Sequence, residues 1–332
     1  MALAGQNRLL EASQLASDLT ALTEAIGNSR LTAGLLSAAI YAKTEVGEMT
    51  EALRLAQLVI DLADGGAPTK GTLHPGSPLA MATQMRGLVR LCLGINGWRS
   101  DADAAVTMAA SLGPRDYVTA IFYKYIVAIP VGARSVNPTS LRETRDALQT
   151  AERMSDDYTL CLAQLTRGLA LVHHVGHHRE EGFHLLEQAR EAAVREGFTM
   201  NALAVVDPEI AREKARNGDI DGAIQLSRAA IDDMFAKGAL FLRGAATTVL
   251  VESLIARGSG SDLQEAEAAI ARLASIPTDA GLALYELPLL RLRALLARAR
   301  GDEAAYRNCR DGYRDMAQLL GFEAHVAWAK AM

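Results

Sequence analysis

The chain predicts an all-α fold, a solenoid of stacked helical hairpins, and three observations carry that prediction. A helix-turn-helix unit of about 40 residues recurs loosely along the chain. It is marked by a glycine turn followed by a small residue: Gly47-Glu48 with Ala52, Gly218-Asp219 with Ala223, and Gly301-Asp302 with Ala305. Each turn lies between two segments striped with apolar residues at helical spacing, and no run of alternating β-branched residues supports a sheet. One hairpin cannot bury its apolar face alone, so neighbours must stack. The pattern is that of a tetratricopeptide-like array of about seven hairpins wound into a right-handed superhelix.

Half of the 332 residues are hydrophobic and only 5% are aromatic, which suits a continuous core built from Ala and Leu. A repeat array grows by addition. The expected organisation is therefore one domain over 1–332, with an N-terminal helical cap (1–30), repeat hairpins (31–320) and a C-terminal cap (321–332). The hairpins fall at roughly 33–64, 77–113, 116–155, 157–196, 199–237, 240–276 and 281–320.

In the first hairpin, Ala52, Leu55, Ala56, Val59, Leu62 and Ala63 share one helical face. Ser77-Pro78 and Asp207-Pro208 each place a capping side chain before a proline whose missing N–H costs nothing in a first turn. The segments Asp64–Ser77 and Ile129–Thr139 break the spacing, as relaxed connections or as functional loops. Pro288 predicts a kink or a helix start in the final hairpin. Ala305, Cys309, Tyr313, Met316 and Leu320 then share a face, which makes Cys309 core filling.

A net charge of -5 and a pI near 5.9 argue against the broad basic surface that phosphate backbones require, so no direct nucleic-acid contact is expected. No basic segment leads into a long apolar run, and no stretch approaches about 18 apolar residues. Cys92, Cys161 and Cys309 are widely spaced, as in a reducing compartment. The expectation is a cytoplasmic chain with no membrane partner.

Candidate chemistry is sparse. His173, His174, His177 and His178 form the densest group of metal-ligating side chains, but they fall on a turn with neither a cysteine nor a helical His-Glu-x-x-His arrangement nearby, so they read as solvated. Gly71 and Gly76 have the spacing of a phosphate loop, yet Ser77-Pro78 follows where a lysine and a hydroxyl residue are required. The carboxylate pairs Asp156-Asp157, Glu180-Glu181 and Asp232-Asp233 suit helix ends and polar faces. No Gly-x-Ser-x-Gly elbow occurs. No catalytic residue, metal or cofactor is expected.

What remains is the surface. In a helical-hairpin solenoid the first helices of successive units line a concave groove. Alignment on the turns places Tyr41, Gln84, Glu209, Arg212, Glu252 and Arg291 on faces that look into it. Tyr117, Tyr123 and Tyr125 add aromatic groups near the middle of the array.

Three stretches resemble a known family. Residues 31–66 (LTAGLLSAAIYAKTEVGEMTEALRLAQLVIDLADG), 77–94 (SPLAMATQMRGLVRLCLG) and 289–332 are similar to the C-terminal helical-repeat region of large actinobacterial, especially mycobacterial, signalling proteins. In that family a class III adenylate/guanylate cyclase domain comes first, a signal-transducing ATPase module follows, and a tetratricopeptide-like region closes the chain. Some relatives end instead in a LuxR-type DNA-binding domain. This chain lacks the P-loop lysine, the cyclase aspartate pair and a basic recognition helix, so no catalytic residue of the family is carried onto a position here. The resemblance implies a non-catalytic regulatory or sensing segment that holds a protein or peptide partner in its groove. The alternative is a small-molecule inducer receptor, as in related transcription activators.

Overall fold

The structure is a computed structural model that describes residues 8–26, 29–64, 77–174, 176, 178–197, 203–239, 242–276 and 282–332. Among these there are sixteen α-helices and no strand. The glycine spacing at 71–76, nearly all of the Asp64–Ser77 segment and His177 lie outside the described residues.

The first helix, α1 (Leu9–Ile26), packs on α2 (Ser29–Glu45), which turns into α3 (Met49–Asp64). That turn runs through Gly47 at φ +84°, a left-handed backbone that a side chain would strain. Beyond it Met49, Ala52, Leu55, Ala56 and Val59 are fully buried along one face of α3, while Leu62 and Ala63 are half-buried.

Next, α4 (Pro78–Leu93) starts where the sequence predicts, with the Ser77 hydroxyl accepting from the Ala80 amide at 3.3 Å. It is followed by α5 (Trp98–Ala110), α6 (Pro114–Tyr125) and α7 (Pro138–Glu152), the last opened by reciprocal bonds between Asn137 and Ser140. Asp156 caps α8 (Asp157–Val172), and α9 (Arg179–Glu196) packs back along it. The C-terminal half comprises α10 (Leu203–Arg216), α11 (Ile220–Lys237), α12 (Arg243–Arg257), α13 (Asp262–Ala274), α14 (Ala283–Arg300), α15 (Glu303–Leu320) and α16 (Glu323–Ala331). The turn aspartates Asp219 and Asp302 cap α11 and α15.

Asp207-Pro208 does not open a helix, contrary to the sequence reading. α10 begins at Leu203 because Val205 and Val206 are buried and draw the chain into the helix ahead of the proline. Asp207 pairs with Arg190 at 2.6 Å instead of capping. Pro288 lies at the equivalent place inside α14. It lacks the N–H that would reach the Leu284 carbonyl, and that carbonyl faces Gly244 of α12, where a Cβ would lie 3.0 Å away.

Consecutive helices pack throughout the chain. Alternate helices also pack, α2 on α4, α4 on α6, and so on through α8, α10, α12 and α14, and α14 then returns to α4. The arrangement is an α-solenoid whose alternate helices close a circuit. One apolar cluster runs through it from Leu9 of α1 to Ala329 of α16. The helices approach most closely where side chains vanish: a Cβ on Gly182 of α9 would lie 2.6 Å from Leu171 Cβ and 3.0 Å from the Gly168 carbonyl of α8.

A joint between α16 and residues 126–135 secures the circuit. Most of the irregular segment at Ile129–Thr139 is buried: Val131 and Ala133 share the apolar cluster of Phe322 and Ala329, Ile129 packs with α6, α7 and α8, and only 137–139 are exposed. The first turn of α16 gives its amides to that segment, Ala324 to the Gly132 carbonyl at 3.1 Å and Glu323 to Ala133 at 3.4 Å. Arg99 reaches the carbonyls of Ala133 and Gly321, and Trp98 meets Phe322 edge-on at 6.5 Å. Gly132, at φ +71°, lets the rings of Trp328 and His325 come within 3.0 Å of where a Cβ would stand.

At the centre of the joint His325 is buried. Its Nε2 lies 2.8 Å from the Val131 carbonyl, an acceptor only, so Nε2 carries the proton. Nδ1, 2.8 Å from the Tyr313 hydroxyl, is then the acceptor. Burial, with nearby Arg291, outweighs the Val131 bond and pushes the imidazole down to about 4.

Two outcomes follow from this packing. Gly182→Ala should destabilise by about 1–3 kcal/mol, read as a lower urea midpoint, because two backbones must separate; Gly260→Ala, with open space around it, should change little. For His325 the folded value lies below the free value of 6.5, so its contribution is full above pH 6.5 and is lost as pH falls towards 4. The loss should be on the order of 3 kcal/mol in chemical denaturation across that window, and His325→Gln should flatten the dependence.

Candidate functional site

Four of the six groove residues form one electrostatic chain. On α10, Glu209 and Arg212 are three residues apart and share a face, as do Glu213 and Arg216 one step along. Glu209 is 1% exposed and lies 2.8 Å from His173 Nε2 at the end of α8 and 3.3 Å from Arg212 Nε. Arg212 is near Glu252 of α12, which pairs with Arg291 of α14 at 2.5 Å. The ladder thus reads His173, Glu209, Arg212, Glu252, Arg291 across four alternate helices. At its far end the Arg291 guanidinium lies 5.1 Å from the Trp328 ring centroid, which ties it to the C-terminal joint.

Burial by itself would raise the Glu209 carboxyl. Arg212, His173 and Arg216 outweigh it and hold the group at about 2, so Glu209 is ionised throughout the neutral range. The chain of charges is buried but not sealed: the Glu252 side chain remains 33% exposed. Several polar atoms are also left over. Glu209 Oε1 and the Nε donors of Arg212 and Arg291 are buried without a hydrogen-bond partner.

The other two predicted groove residues lie elsewhere. Gln84 is buried and donates to the Thr119 carbonyl of α6 at 3.3 Å, which joins α4 to α6. Tyr41 is half-buried on α2. Burial raises its phenol well above the usual range, with Glu45 and the nearby Tyr123 and Tyr158 phenols adding to the shift. Of the three aromatic candidates, Tyr123 shares that neighbourhood and Tyr117 is half-buried. Tyr125 is core, its hydroxyl donating to Glu143 at 2.6 Å.

Sequence reasoning missed His173, which it placed in an exposed turn. The signal was present: His173 follows Leu169 and Thr166 of the buried face of α8 by four and seven residues. His178 of the same run is exposed beside Glu181. Among the described residues no group of three or more His, Cys, Asp or Glu side chains could hold a metal ion. Cys92 is buried and its thiol is shifted up by burial, which makes it a poor nucleophile.

A concavity unforeseen in the sequence is a cleft of about 260 Å³ among α11, α12 and α13 beside Phe235. Arg243 and Arg272 stack on the two sides of that ring, at 3.9 and 3.8 Å. The cleft's charges are matched, Arg228 with Glu265 and Arg272 with Asp232. Arg243 gives one Nη–H to the Met234 carbonyl at 2.9 Å and leaves its buried Nε without a partner, so this cleft also holds an unpaired donor.

Comparison of the chain with protein-family models and with curated proteins finds no match. The site therefore has to be interpreted from its own geometry.

Removing the negative charge at the centre of the ladder should be costly. Glu209→Gln leaves Arg212 buried without its counter-charge, so a loss of about 3–5 kcal/mol is expected in urea denaturation. Glu267→Gln, which breaks the exposed pair with Arg300, should cost less than about 1 kcal/mol.

Proposed function

We propose that this chain is a non-catalytic regulatory module, a cytoplasmic sensor of seven tetratricopeptide-like hairpins in a right-handed superhelix that recognises a small ligand on its alternate-helix face. The observation that carries this reading is the ladder from His173 to Arg291, polar side chains converging from four helices, part-exposed at Glu252 and with buried hydrogen-bonding atoms left unpaired. Ligand sites between helices carry a few fixed polar groups that set orientation and specificity, and the ladder supplies such groups. The return of α14 to α4 supports a small ligand over an extended peptide, because it bounds the face that the alternate helices share.

The resemblance to cyclase–ATPase signalling proteins gives this sensing a purpose within a longer system. A ligand held between several helices favours one relative arrangement of them, and only such a differential contact can bias a neighbouring module.

Thermal shift of the purified chain against a metabolite library and a peptide library tests the reading. A ligand at 100 times its Kd should stabilise by about 2.7 kcal/mol. Small polar metabolites should raise the midpoint, and Arg212→Gln should abolish the rise. Stabilisation by peptides alone would transfer the groove to a protein partner. ATP hydrolysis or cyclic-nucleotide formation that survives repurification would overturn the non-catalytic reading.

A further inference from the structure

We infer that the ladder is an oxyanion site: the guanidinium groups of Arg212 and Arg291 take a carboxylate or phosphoryl group of the ligand. This rests on the small-ligand reading above and names the chemistry recognised.

Charge is the first argument. The connected network holds four arginines, Arg179, Arg212, Arg216 and Arg291, against three carboxylates, Glu209, Glu213 and Glu252. It carries one positive charge in excess even with His173 neutral, within a chain whose net charge is -5. Arg212 and Arg291 are matched by Glu209 and Glu252, so the excess arises where the more exposed Arg179 and Arg216 share Glu213, and it adds to the positive field along the ladder that an anion would meet.

Donor geometry is the second. A guanidinium grips an oxyanion with a fork made of two parallel N–H donors. Arg212 faces Glu209 from 3.3 Å, but its Nε–H makes no hydrogen bond there. Arg291 spends Nη1 on Glu252 and keeps its Nε–H unused. Arg179 Nε, 3.8 Å from Glu213, is likewise buried and unspent. The carboxylates therefore balance charge while leaving these three Nε donors unused, and a buried donor left unpaired is expensive. A planar carboxylate or a phosphoryl group supplies the acceptors they lack.

Glu252 sets the third condition. It stands between the two arginines and is the most exposed rung, so an incoming oxyanion competes with it for Arg291. Its removal should make the site stronger, whereas a purely structural ion pair would only be weakened by that change.

The experiment measures the thermal midpoint with low-millimolar inorganic phosphate and, separately, citrate, each against chloride at matched ionic strength. Wild-type protein should show a saturable rise with at least one of them. Arg212→Gln should raise the half-saturating concentration by at least about tenfold, and Glu252→Gln should lower it several-fold. Arg272→Gln, in the outer cleft, should leave it unchanged. A response to phosphate alone marks a phosphoryl group, to citrate alone a carboxylate, and to both the shared oxyanion chemistry. Should Arg212→Gln fail to fold by circular dichroism, Glu252→Gln and Arg291→Lys carry the test.

The inference falls if neither anion exceeds the chloride control, or if folded Arg212→Gln, or Glu252→Gln, saturates at the wild-type concentration. A neutral or cationic metabolite that stabilises the protein through this face would sink the oxyanion site and leave the sensor reading standing. No stabilisation by any small molecule would remove both.

Discussion

The neutral imidazole of His325 is the interaction on which the rest depends. Its two nitrogens bind groups that are far apart in the chain, the Tyr313 hydroxyl and the Val131 carbonyl, the latter 194 residues away. A neutral ring with its proton on Nε2 makes both bonds at once, donating to the Val131 carbonyl and accepting from the Tyr313 hydroxyl, and burial favours that uncharged state against the pull of the Val131 bond. With this contact made, the first-turn amides of α16 meet carbonyls of residues 132–133 and Trp98 meets Phe322. An array that would otherwise end in an exposed helix face then closes, α14 against α4.

Closure explains how so many charges tolerate burial between helices. Burying an isolated ion costs several kcal/mol, and a paired one recovers that cost only when its partners are held in place. The alternate helices provide the holding: Glu209 and Arg212 are fixed by α10, His173 by the end of α8, and Glu252 and Arg291 by α12 and α14. A well-packed apolar layer would be at least as stable. The ladder therefore contributes less to stability than to defining one arrangement of four helices, which suits recognition better than strength alone.

Local features of the fold were legible in the sequence, and long-range ones were not. Glycine turns at Gly47, Gly218 and Gly301 and the caps at Ser77, Asp219 and Asp302 each depend on a few neighbouring residues. Pro208 misled because a local start signal lost to the burial of Val205 and Val206 just ahead of it. The joint at residues 126–135 was invisible for a different reason: its partners are set by closure of the whole array, and the sequence registered only an irregular segment. On the site, alignment on the turns picked out Glu209, Arg212, Glu252 and Arg291, which the structure joins in one chain of charges, and Gln84, whose amide is spent on the α6 backbone; it passed over His173 because a run of four histidines reads as polar turn.

Arg291 belongs to both halves of the structure. One end of its guanidinium pairs with Glu252 in the ladder, and its face lies over Trp328, whose ring fills the space beside Gly132 and contacts His325. The same positive charge helps to keep His325 neutral. A change at Arg291 is thus felt at the joint, and a change at the joint is felt in the ladder. Thermodynamic linkage requires the two effects to be equal. An oxyanion held as proposed by Arg291 would meet a residue that already touches the contact holding the circuit shut.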